Sequence, residues 1–226
     1  ADMHAVCPLC ADSLSSFVTV AIGRKTGRRP LAFLECATCG LVVRDPDAWP
    51  DRESERAHYR LHQNDANDPH YCRFLAPGIE RLKPVLGVGV AGLDFGCGPD
   101  SAIVAVGRQA GATMLGYDPM FAPDERLLRY STYDVVTCTE TVEHLHRPWS
   151  VFQQMGRLLR PGGRLMIQTG FAPPAAQFAD WHYWRDPTHV IFFRVQTFQW
   201  LAAAFGWVIV EIAAPVAVFD MPRAAH

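Results

Sequence analysis

The sequence predicts a three-layer α/β fold, in which helices cover both faces of a mostly parallel sheet, preceded by a small cysteine-bearing β-hairpin. Strand-like and helical runs alternate over residues 85–170, and glycines stand at several of the junctions between them. Two C-x-x-C pairs flank two strand-like runs near the amino end. These observations predict a small domain at residues 1–45 and a larger domain at residues 46–226.

The composition favours a globular protein that works away from membranes and nucleic acid. Hydrophobic residues make up 49% of the 226 residues and charged residues 19%, which suffices for one substantial core. No apolar run is long enough to span a bilayer, and the first residues lack a secretory pattern, so we expect no membrane association and a cytoplasmic location. The formal net charge of −2 gives no overall attraction for nucleic acid. We interpret the local basic cluster as a solvated hairpin tip; it consists of Arg24, Lys25, Arg28 and Arg29.

Four of the seven cysteines have the spacing of two zinc knuckles, Cys7 with Cys10 and Cys36 with Cys39. Strand-like runs at residues 17–22 and 31–35 lie between the pairs and predict a zinc ribbon. Four thiolates close the shell of tetrahedral zinc, so the predicted zinc is structural and supports a segment too short to fold unaided. The alternatives are disulfides, which need an oxidising compartment, and a catalytic zinc, which needs a vacant position.

The larger domain is organised around the stretch GLDFGCGPD at residues 92–100. A short apolar strand ends at Gly96, and a helical run follows over residues 101–110. Glycines at 96 and 98 permit a sharp turn, close approach to a bound nucleoside and exposed N–H groups at the helix start. The pattern is not the G-x-G-x-x-G turn of dinucleotide-binding proteins, because Asp94 stands two residues before the first glycine. A carboxylate there suits a cationic ligand better than a pyrophosphate.

A second strand is predicted at residues 113–118, and it ends in Asp118, about twenty residues beyond the glycine turn. A carboxylate at this position can accept hydrogen bonds from both ribose hydroxyls of an adenosyl group. The alternative is a turn-forming aspartate before Pro119. Residues 119–130 are too few for a helix, a strand and a second helix, so the third strand is predicted to be short or missing.

A fourth strand at residues 133–138 leads into Thr139, Glu140, Glu143 and His144, at the sheet edge where parallel sheets bind ligands. A helix at residues 149–159, the turn RPGG at 160–163 and a fifth strand at 164–169 follow. If a helix begins at Glu140, the two glutamates and His144 share one face. Such a face could bind a divalent metal.

Together these motifs resemble the class I S-adenosylmethionine-dependent methyltransferases over residues 85–170, particularly the ubiquinone-pathway O-methyltransferase group. The glycine turn resembles their motif I, (D/E)-x-G-x-G-x-G, although Asp100 replaces the third glycine and could narrow the pocket. The resemblance implies a Rossmann-like domain that binds S-adenosylmethionine. The cofactor residues that it implies are Asp94, Gly96, Cys97, Gly98, Tyr117, Asp118 and Thr139.

Two further segments are expected to complete the site. A lid segment at residues 51–70 resembles the helix that covers the cofactor in this family, and Tyr59 and His62 on it could contact the cofactor. The alternative is an ordinary exposed helix and loop. A substrate loop at residues 171–190, rich in aromatic side chains, could form an apolar pocket. A helix at 196–205 and an antiparallel pair of strands at 207–212 and 216–219 would finish the sheet.

Methyl transfer from a sulfonium needs an aligned nucleophile and removal of its proton. His144, His182 and His189, with Glu143, are the candidates for this task, although each histidine could serve packing alone. The run Glu140-x-x-Glu143-His144 also resembles the E-x-x-E-H metal motif of the ubiquinone-pathway enzymes and of small-RNA 2′-O-methyltransferases. That resemblance implies a second divalent metal held by Glu140, Glu143, His144 and His189, although similar residues occur in methyltransferases without metal.

The leading hypothesis is an enzyme that methylates a small molecule, with oxygen favoured as the acceptor atom over nitrogen or carbon. One alternative is an RNA methyltransferase that contacts phosphates through the ribbon, and another is a binding protein that has lost catalysis. A resemblance to sugar C-methyltransferases with an amino-terminal zinc domain extends only to the broad architecture. NAD binding would favour a dehydrogenase instead. The acceptor, the pathway and the oligomeric state stay open.

Overall fold

The structure, a computed structural model, describes residues 5–21, 30–59 and 69–223. Its strands are β1 (Leu14–Val20), β2 (Leu31–Cys36), β3 (Val42–Arg44), β4 (Ala91–Phe95), β5 (Thr113–Tyr117), β6 (Tyr133–Thr139), β7 (Leu159–Gln168), β8 (Ile191–Phe192), β9 (Val208–Ala213) and β10 (Val216–Asp220). Its helices are α1 (Arg52–Tyr59), α2 (Pro69–Leu82), α3 (Ala102–Gln109), α4 (Pro148–Leu158), α5 (Ala175–Phe178) and α6 (Val195–Phe205).

The larger sheet has the strand order β5-β4-β6-β7-β10-β9. β4 pairs in parallel with β5 and β6, β6 pairs in parallel with β7, and β10 runs antiparallel to β7 and β9. The predicted α/β class, the mostly parallel sheet and its antiparallel last pair are therefore confirmed. Between β5 and β6, where every residue is described, no strand forms, which agrees with the prediction of a missing third strand and leaves β5 at the edge.

The strand order reverses at β4, because the chain continues from β4 to β5 on one side and returns to β6 on the other. At such a switch point the loops that follow neighbouring strands separate and leave a crevice at the carboxyl ends. The two loops here are the glycine turn after β4 and the segment after β6 that begins with Glu140.

Helices cover both faces of this sheet, as the sequence predicts. On one face α2 and α3 bury Leu82 and Ile103, and on the other α4 and α6 bury Phe152 and Phe198. Burial of one such side chain stabilises the fold by about 1.5–3 kcal/mol. The sheet is therefore a rigid support for the loops at its carboxyl edge.

β7 begins at Leu159, earlier than the predicted start at residue 164. Leu159 pairs with Tyr133, and the register then shifts before Val135 pairs with Arg164. This irregularity accommodates the predicted turn, in which Gly162 has a φ of 77°. The turn is therefore an interruption at the start of β7 and does not separate α4 from the strand.

The smaller sheet has the order β1-β2-β3-β8, with every pair antiparallel. The sequence predicts a hairpin followed by an extended connector at residues 41–50. Instead, Val42 and Val43 are fully buried in β3, which pairs with β2 on one side and with Ile191 and Phe192 of β8 on the other. The ribbon therefore continues into the chain segment that follows the predicted substrate loop.

Several predictions fall on residues that the structure does not describe. The hairpin strand predicted to end at residue 22 can be compared only up to residue 21, and His62 and the rest of the lid at 60–68 lie outside the described residues. The same holds for the basic cluster formed by Arg24, Lys25, Arg28 and Arg29. Among the helices of the described ranges, none combines the length and apolarity needed to cross a bilayer.

Candidate active site

A cavity of about 640 Å³ opens at the carboxyl ends of β4, β5 and β6, and this volume suits a small-molecule site. The lid helix α1 and the loop that precedes β8 form its other sides. The residues predicted for the site that line it are Tyr59, Gly96, Cys97, Gly98, Tyr117, Asp118, Thr139, Glu140, Glu143, His144, His182 and His189. A second cavity of about 660 Å³, beside α4 and the start of β9, contains none of them.

The glycine turn forms one end of the cavity. Gly96 and Gly98 have φ angles of 77° and 63°. Residues other than glycine adopt such positive φ angles only at a cost in free energy. A Cβ atom at Gly96 would lie 2.4 Å from Thr141 Cγ2, so the turn also has no room for one. The Gly96 and Cys97 amides donate to Tyr117 O at 2.8 and 3.1 Å, which ties the turn to β5.

Asp118 lies beside this turn, and its carboxylate already accepts backbone hydrogen bonds. Oδ2 accepts from the Gly98 amide at 3.1 Å, and Oδ1 accepts from the amides of Met120 and Phe121 at 2.8 and 3.1 Å. Asp118 therefore does stabilise the turn that follows it, as the alternative interpretation predicts. A carboxylate offers about four acceptor directions, so the cavity side of Asp118 can still accept from a ribose.

Asp94 does not reach the cavity, in contrast to the prediction from motif I. Its side chain is 1% exposed and accepts hydrogen bonds from Ser101 Oγ at 2.7 Å and Thr137 Oγ1 at 2.6 Å. Burial raises the pKa of Asp94 to about 6. Because Ser101 also accepts from the Val104 amide as the N-cap of α3, Asp94 fixes the helix behind the turn.

Asp100 and Cys97, also in this turn, have different surroundings. Asp100 is exposed and does not line the cavity, so it does not narrow the pocket. Cys97 does line the cavity. Its Sγ packs closely against Gly116, where an added Cβ atom would lie only 2.9 Å from the sulfur. Burial raises the pKa of the Cys97 thiol to about 12, so this cysteine is a neutral packing group.

At the other end of the cavity, Glu143, His144 and His189 converge, each offering one atom within 4.8 Å of the others. The predicted helix from Glu140 does not form. Glu140 has a φ of 48°, and Val142–His144 is a single 3₁₀ turn. This turn directs Glu143 inward with His144 beside it, whereas Glu140 lies outside the group of three.

Hydrogen bonds fix the orientation of both histidines. His144 Nδ1 lies 3.0 Å from Thr188 O and His189 Nδ1 lies 2.8 Å from Tyr183 O. Since a carbonyl only accepts, each Nδ1 carries a proton, and in a neutral ring the Nε2 then presents a lone pair. Both Nε2 atoms lie 3.9 Å from Glu143 Oε1. Burial lowers the pKa of His189 to about 4, which keeps it neutral at pH 7.

Tyr183, which the sequence analysis does not single out, connects the two glutamates. Its Oη lies 2.7 Å from Glu140 Oε2 and 2.5 Å from Glu143 Oε1, and Thr169 Oγ1 donates to Glu143 Oε2 at 2.9 Å. Burial, followed by the charge of Glu143, raises the pKa of Glu140 well above its usual value. Only the aromatic richness of its loop points to Tyr183 in the sequence.

Helix α1, which lies within the predicted lid segment, packs against the histidine group. Tyr59 packs edge-on against His144 with ring centroids 5.1 Å apart, and His58 Nε2 lies 3.2 Å from Asp186 Oδ1. Tyr59 thus lies nearer to the histidine group than its prediction as a cofactor contact implies. His182 is exposed at the cavity edge, whereas His189 is 8% exposed.

The four ribbon cysteines form a second cluster, with ligand atoms within 4.8 Å of one another. Cys7 Sγ lies 3.6 Å from Cys39 Sγ, and Cys10 Sγ lies 3.3 Å from Cys36 Sγ. These distances exceed a disulfide bond and approach the ~3.8 Å between thiolates of tetrahedral zinc. The donor set therefore fits a structural zinc.

Comparison with known proteins agrees with the fold and the glycine turn. A family model described as a methyltransferase domain matches residues 45–212. The chain belongs to this methyltransferase-domain family. It is 34% identical over 84 residues to a ubiquinone biosynthesis O-methyltransferase of Colwellia psychrerythraea, and 37% identical over 83 residues to one of Aeromonas salmonicida. Each match covers 37% of this chain and 34% of the relative, so the similarity extends over about a third of those proteins.

Two solved structures share the fold at low sequence identity. The 1,6-didemethyltoxoflavin-N1-methyltransferase of Burkholderia thailandensis, with bound 1,6-didemethyltoxoflavin and S-adenosylhomocysteine, superposes with a TM-score of 0.55 at 14% identity, covering 91% of this chain and 99% of that one. A chain of the Haloferax volcanii complex between the Trm112 methyltransferase activator and a methyltransferase superposes with a TM-score of 0.53 at 12% identity, covering 77% and 100%.

Proposed function

We propose that the chain transfers a methyl group from S-adenosylmethionine to a small-molecule acceptor, with a hydroxyl oxygen favoured over nitrogen or carbon. The observation that carries this proposal is one cavity with two chemically different ends. The glycine turn and Asp118 form the end suited to an adenosyl group. Glu143, His144 and His189 form the end suited to an acceptor that must lose a proton.

The residues at the first end would divide the work of holding the cofactor. Gly96 and Gly98 let the backbone approach it, Asp118 would accept hydrogen bonds from the ribose hydroxyls, and Thr139 and Tyr117 would line the adjoining walls. Asp94 contributes through Ser101 and the start of α3 and makes no direct contact. When bound, the cofactor supplies the activated methyl group, so the protein has mainly to orient the acceptor.

At the second end, neutral His189 presents Nε2 as a proton acceptor, and its Nδ1 proton is held by Tyr183 O. Glu143 is fully buried, and its carboxylate is fixed by Thr169 and Tyr183. A proton that leaves an acceptor hydroxyl can move to His189, where the neighbouring Glu143 carboxylate stabilises the positive charge. Tyr59 on the lid helix excludes water from this end.

As the alternative to His189 as proton acceptor, we propose that Glu143, His144 and His189 hold a second, divalent metal, in which case His189 Nε2 is a ligand. The fit rests on two free Nε2 lone pairs and one carboxylate, with each histidine oriented by a backbone carbonyl through its other nitrogen. Mixed nitrogen and oxygen donors suit manganese, iron, cobalt or zinc better than magnesium. When bound, such a metal lowers the pKa of an acceptor hydroxyl. Glu140, the fourth ligand suggested by the sequence, is not part of this group and accepts a hydrogen bond from Tyr183 Oη at 2.7 Å.

The charge of the cavity favours a neutral or cationic acceptor over RNA. The lining residues that the structure describes include no lysine or arginine but five acidic side chains, those of Glu55, Asp118, Glu140, Glu143 and Asp186. The raised pKa of Glu140 lowers its share of the negative charge. Phosphates would be repelled by this lining. The basic tip that an RNA-binding hypothesis needs lies outside the described residues. The names of the similar O-methyltransferases support an oxygen acceptor.

The experiment that tests this proposal is transfer of an isotopically labelled methyl group from the cofactor to pools of phenols, alcohols and amines, read by mass spectrometry. His189→Gln should lower the turnover by about 10²–10⁴-fold, the usual contribution of a general base, and leave the affinity for S-adenosylhomocysteine within a few-fold. His182→Gln is the matched control, because His182 is exposed at the cavity edge. Transfer to no pool, or full activity of His189→Gln, would contradict the proposal.

A further inference from the structure

The loop at residues 181–190, here called the histidine loop, supplies Tyr183, Asp186 and His189 to the cavity but contains only one short 3₁₀ turn, His182–Arg185. A loop with so little regular structure needs other hydrogen bonds to hold its backbone. Its His189 amide donates to Asp186 O at 3.3 Å, and its Val190 amide donates to Glu143 O at 2.9 Å.

Further support comes from one ribbon side chain, Arg44 at the end of β3. Its Nε donates to His189 O at 2.8 Å, and its Nη2 donates to Asp186 O at 2.8 Å and to Trp184 O at 2.5 Å. The Arg44 amide donates to Val190 O at 2.8 Å. One residue of the ribbon therefore binds the histidine loop at four carbonyls, three of them through the guanidinium.

We propose that Arg44 is a positioning residue for methyl transfer, through which the zinc ribbon fixes the histidine loop and the direction of His189. This inference rests on the proposed function, because it assigns His189 a part in proton removal. It extends that function by making the ribbon a structural part of the active site.

The chemistry of arginine explains why this position needs a guanidinium. Arg44 is 5% exposed, and the face of the Phe33 ring lies 5.5 Å from its Cζ. A planar guanidinium carries five donors in fixed directions and can bind three carbonyls at once. A lysine ammonium is a compact point charge whose donors rotate and do not spread over three carbonyls. Loss of the guanidinium would remove the side-chain donors of the Trp184 and His189 carbonyls and would leave Asp186 O with the His189 amide alone.

The path from the cysteines to Arg44 is short. The Gly40 amide donates to Cys36 O at 2.8 Å, and the Cys36 amide donates to Leu41 O at 2.9 Å, which closes the second knuckle. β3 starts at Val42, directly after this knuckle, and ends at Arg44. Zinc ligation at Cys36 and Cys39 would therefore fix the position of β3, the strand that bears Arg44.

Arg194 provides a matched control. Its Nη1 lies 3.0 Å from Glu35 Oε2, and its guanidinium lies over the Phe17 ring at 4.6 Å, so it also joins the ribbon to the rest of the chain. Its bonds are to the ribbon and to the first turn of α6, and none of those found reaches the histidine loop. Arg44→Lys and Arg194→Lys each keep the charge and most of the volume.

The test is hydrogen–deuterium exchange of the full, zinc-containing chain, read by mass spectrometry. In Arg44→Lys the amides of residues 183–190 should exchange about tenfold faster or more, since loss of net hydrogen-bond energy lowers the opening free energy of the loop. Exchange at residues 94–118, the zinc content and the calorimetric affinity for S-adenosylhomocysteine should not change. Arg194→Lys should leave the loop at the wild-type rate.

A second measurement separates positioning from general stability. In Arg44→Ala, millimolar guanidinium should restore slow exchange of the loop, and ¹⁵N spectra should show the His189 Nδ1–H tautomer regained. Unchanged loop exchange in Arg44→Lys, or equal loosening in Arg194→Lys, would overturn the inference. Neither hydrogen exchange nor the ¹⁵N spectra need a methyl acceptor. Failure of this inference can therefore be distinguished from failure of the proposed methyl transfer.

Discussion

Two carboxylates beside the glycine turn are held in opposite environments. Asp94 is buried between Ser101 and Thr137, whereas Asp118 lies on the cavity wall with backbone amides as its partners. The sequence assigns both to the cofactor, Asp94 from motif I and Asp118 from the end of the second predicted strand, because spacing alone does not indicate which side of a strand's end a carboxylate faces. Both side chains are buried, but of the two only Asp118 lines the cavity, so Asp94 supports the turn and Asp118 can meet a ligand.

The raised pKa of Asp94 gives a testable pH dependence. Burial raises its pKa from the model-compound value of 3.8 to about 6, so the folded state binds the proton more tightly than the unfolded state. The associated stability is fully present below the unfolded pKa and is lost as the pH rises through the folded pKa. From pH 5 to pH 8 the free energy of unfolding should fall by about 1.4 kcal/mol through this group alone.

Asp94→Asn, which cannot ionise, should lack this component. Chemical denaturation of both proteins across the pH range measures it as a difference, in which the pH dependence of the cysteines cancels. Exposed Asp180→Asn serves as the control. Parallel pH profiles for wild type and Asp94→Asn would show that Asp94 is not the titrating group.

At the scale of elements, the glycine turn after β4 combines two separate constraints. Gly96 has a positive φ and also no room for a Cβ atom, which would lie 2.4 Å from Thr141. Gly89 has a φ of 86° but nothing within 4 Å of its Cβ position. The two glycines therefore distinguish backbone strain from lack of space.

We expect Gly89→Ala to lower the free energy of unfolding by about 1–2 kcal/mol, the cost of a left-handed alanine. Gly96→Ala should cost about 2–5 kcal/mol, because overpacking against Thr141 adds to the same strain. It should also weaken binding of S-adenosylhomocysteine, because the turn lines the cavity. Thermal and chemical denaturation measure the first effect and calorimetry the second. Equal losses of stability in the two variants would refute the packing argument.

The regular elements of the larger domain can be predicted from sequence because each follows from local periodicity. The segment after β6 cannot, since the spacing of Glu140, Glu143 and His144 fits a helix as well as the observed 3₁₀ turn. The positive φ of Glu140 places that residue apart from the other two. Tyr183, which bridges the glutamates, comes from a loop far along the chain, and no short-range pattern reveals such a contact.

On the scale of the whole molecule, the ribbon and the larger domain share the sheet that contains β3 and β8. The sequence indicates that the four cysteines come together, because the spacing within each pair is local, and their sulfur atoms do lie within 4.8 Å of one another. The sequence does not predict the β3–β8 pairing or the contacts of Arg44, because both join residues more than a hundred positions apart. Arg44 and His189, for example, are separated by 145 positions in the chain. The ribbon is therefore joined to the candidate active site by strand pairing and by the hydrogen bonds of Arg44, and it is not a separately attached domain.

Zinc should be present at one atom per chain, bound by Cys7, Cys10, Cys36 and Cys39. Elemental analysis of protein purified without chelators measures it. Cys39→Ser should lose the metal and unfold the ribbon, whereas Cys97→Ser, which alters a thiol outside the cluster, should retain it. A zinc-free wild-type chain with an ordered ribbon would exclude the structural zinc.

The central claim is that the cavity beside the glycine turn binds the methyl donor, and calorimetric titration with S-adenosylhomocysteine tests it most directly. Wild type should bind, and Asp118→Ala should bind about tenfold or more weakly, because two charge-assisted hydrogen bonds to the ribose are lost. Asp118→Asn, which keeps an acceptor for the turn amides, should lie between them, and Asp124→Ala, in the same connection but outside the cavity lining, should match wild type. Unchanged affinity in Asp118→Ala, or no binding by the wild type, would contradict the account.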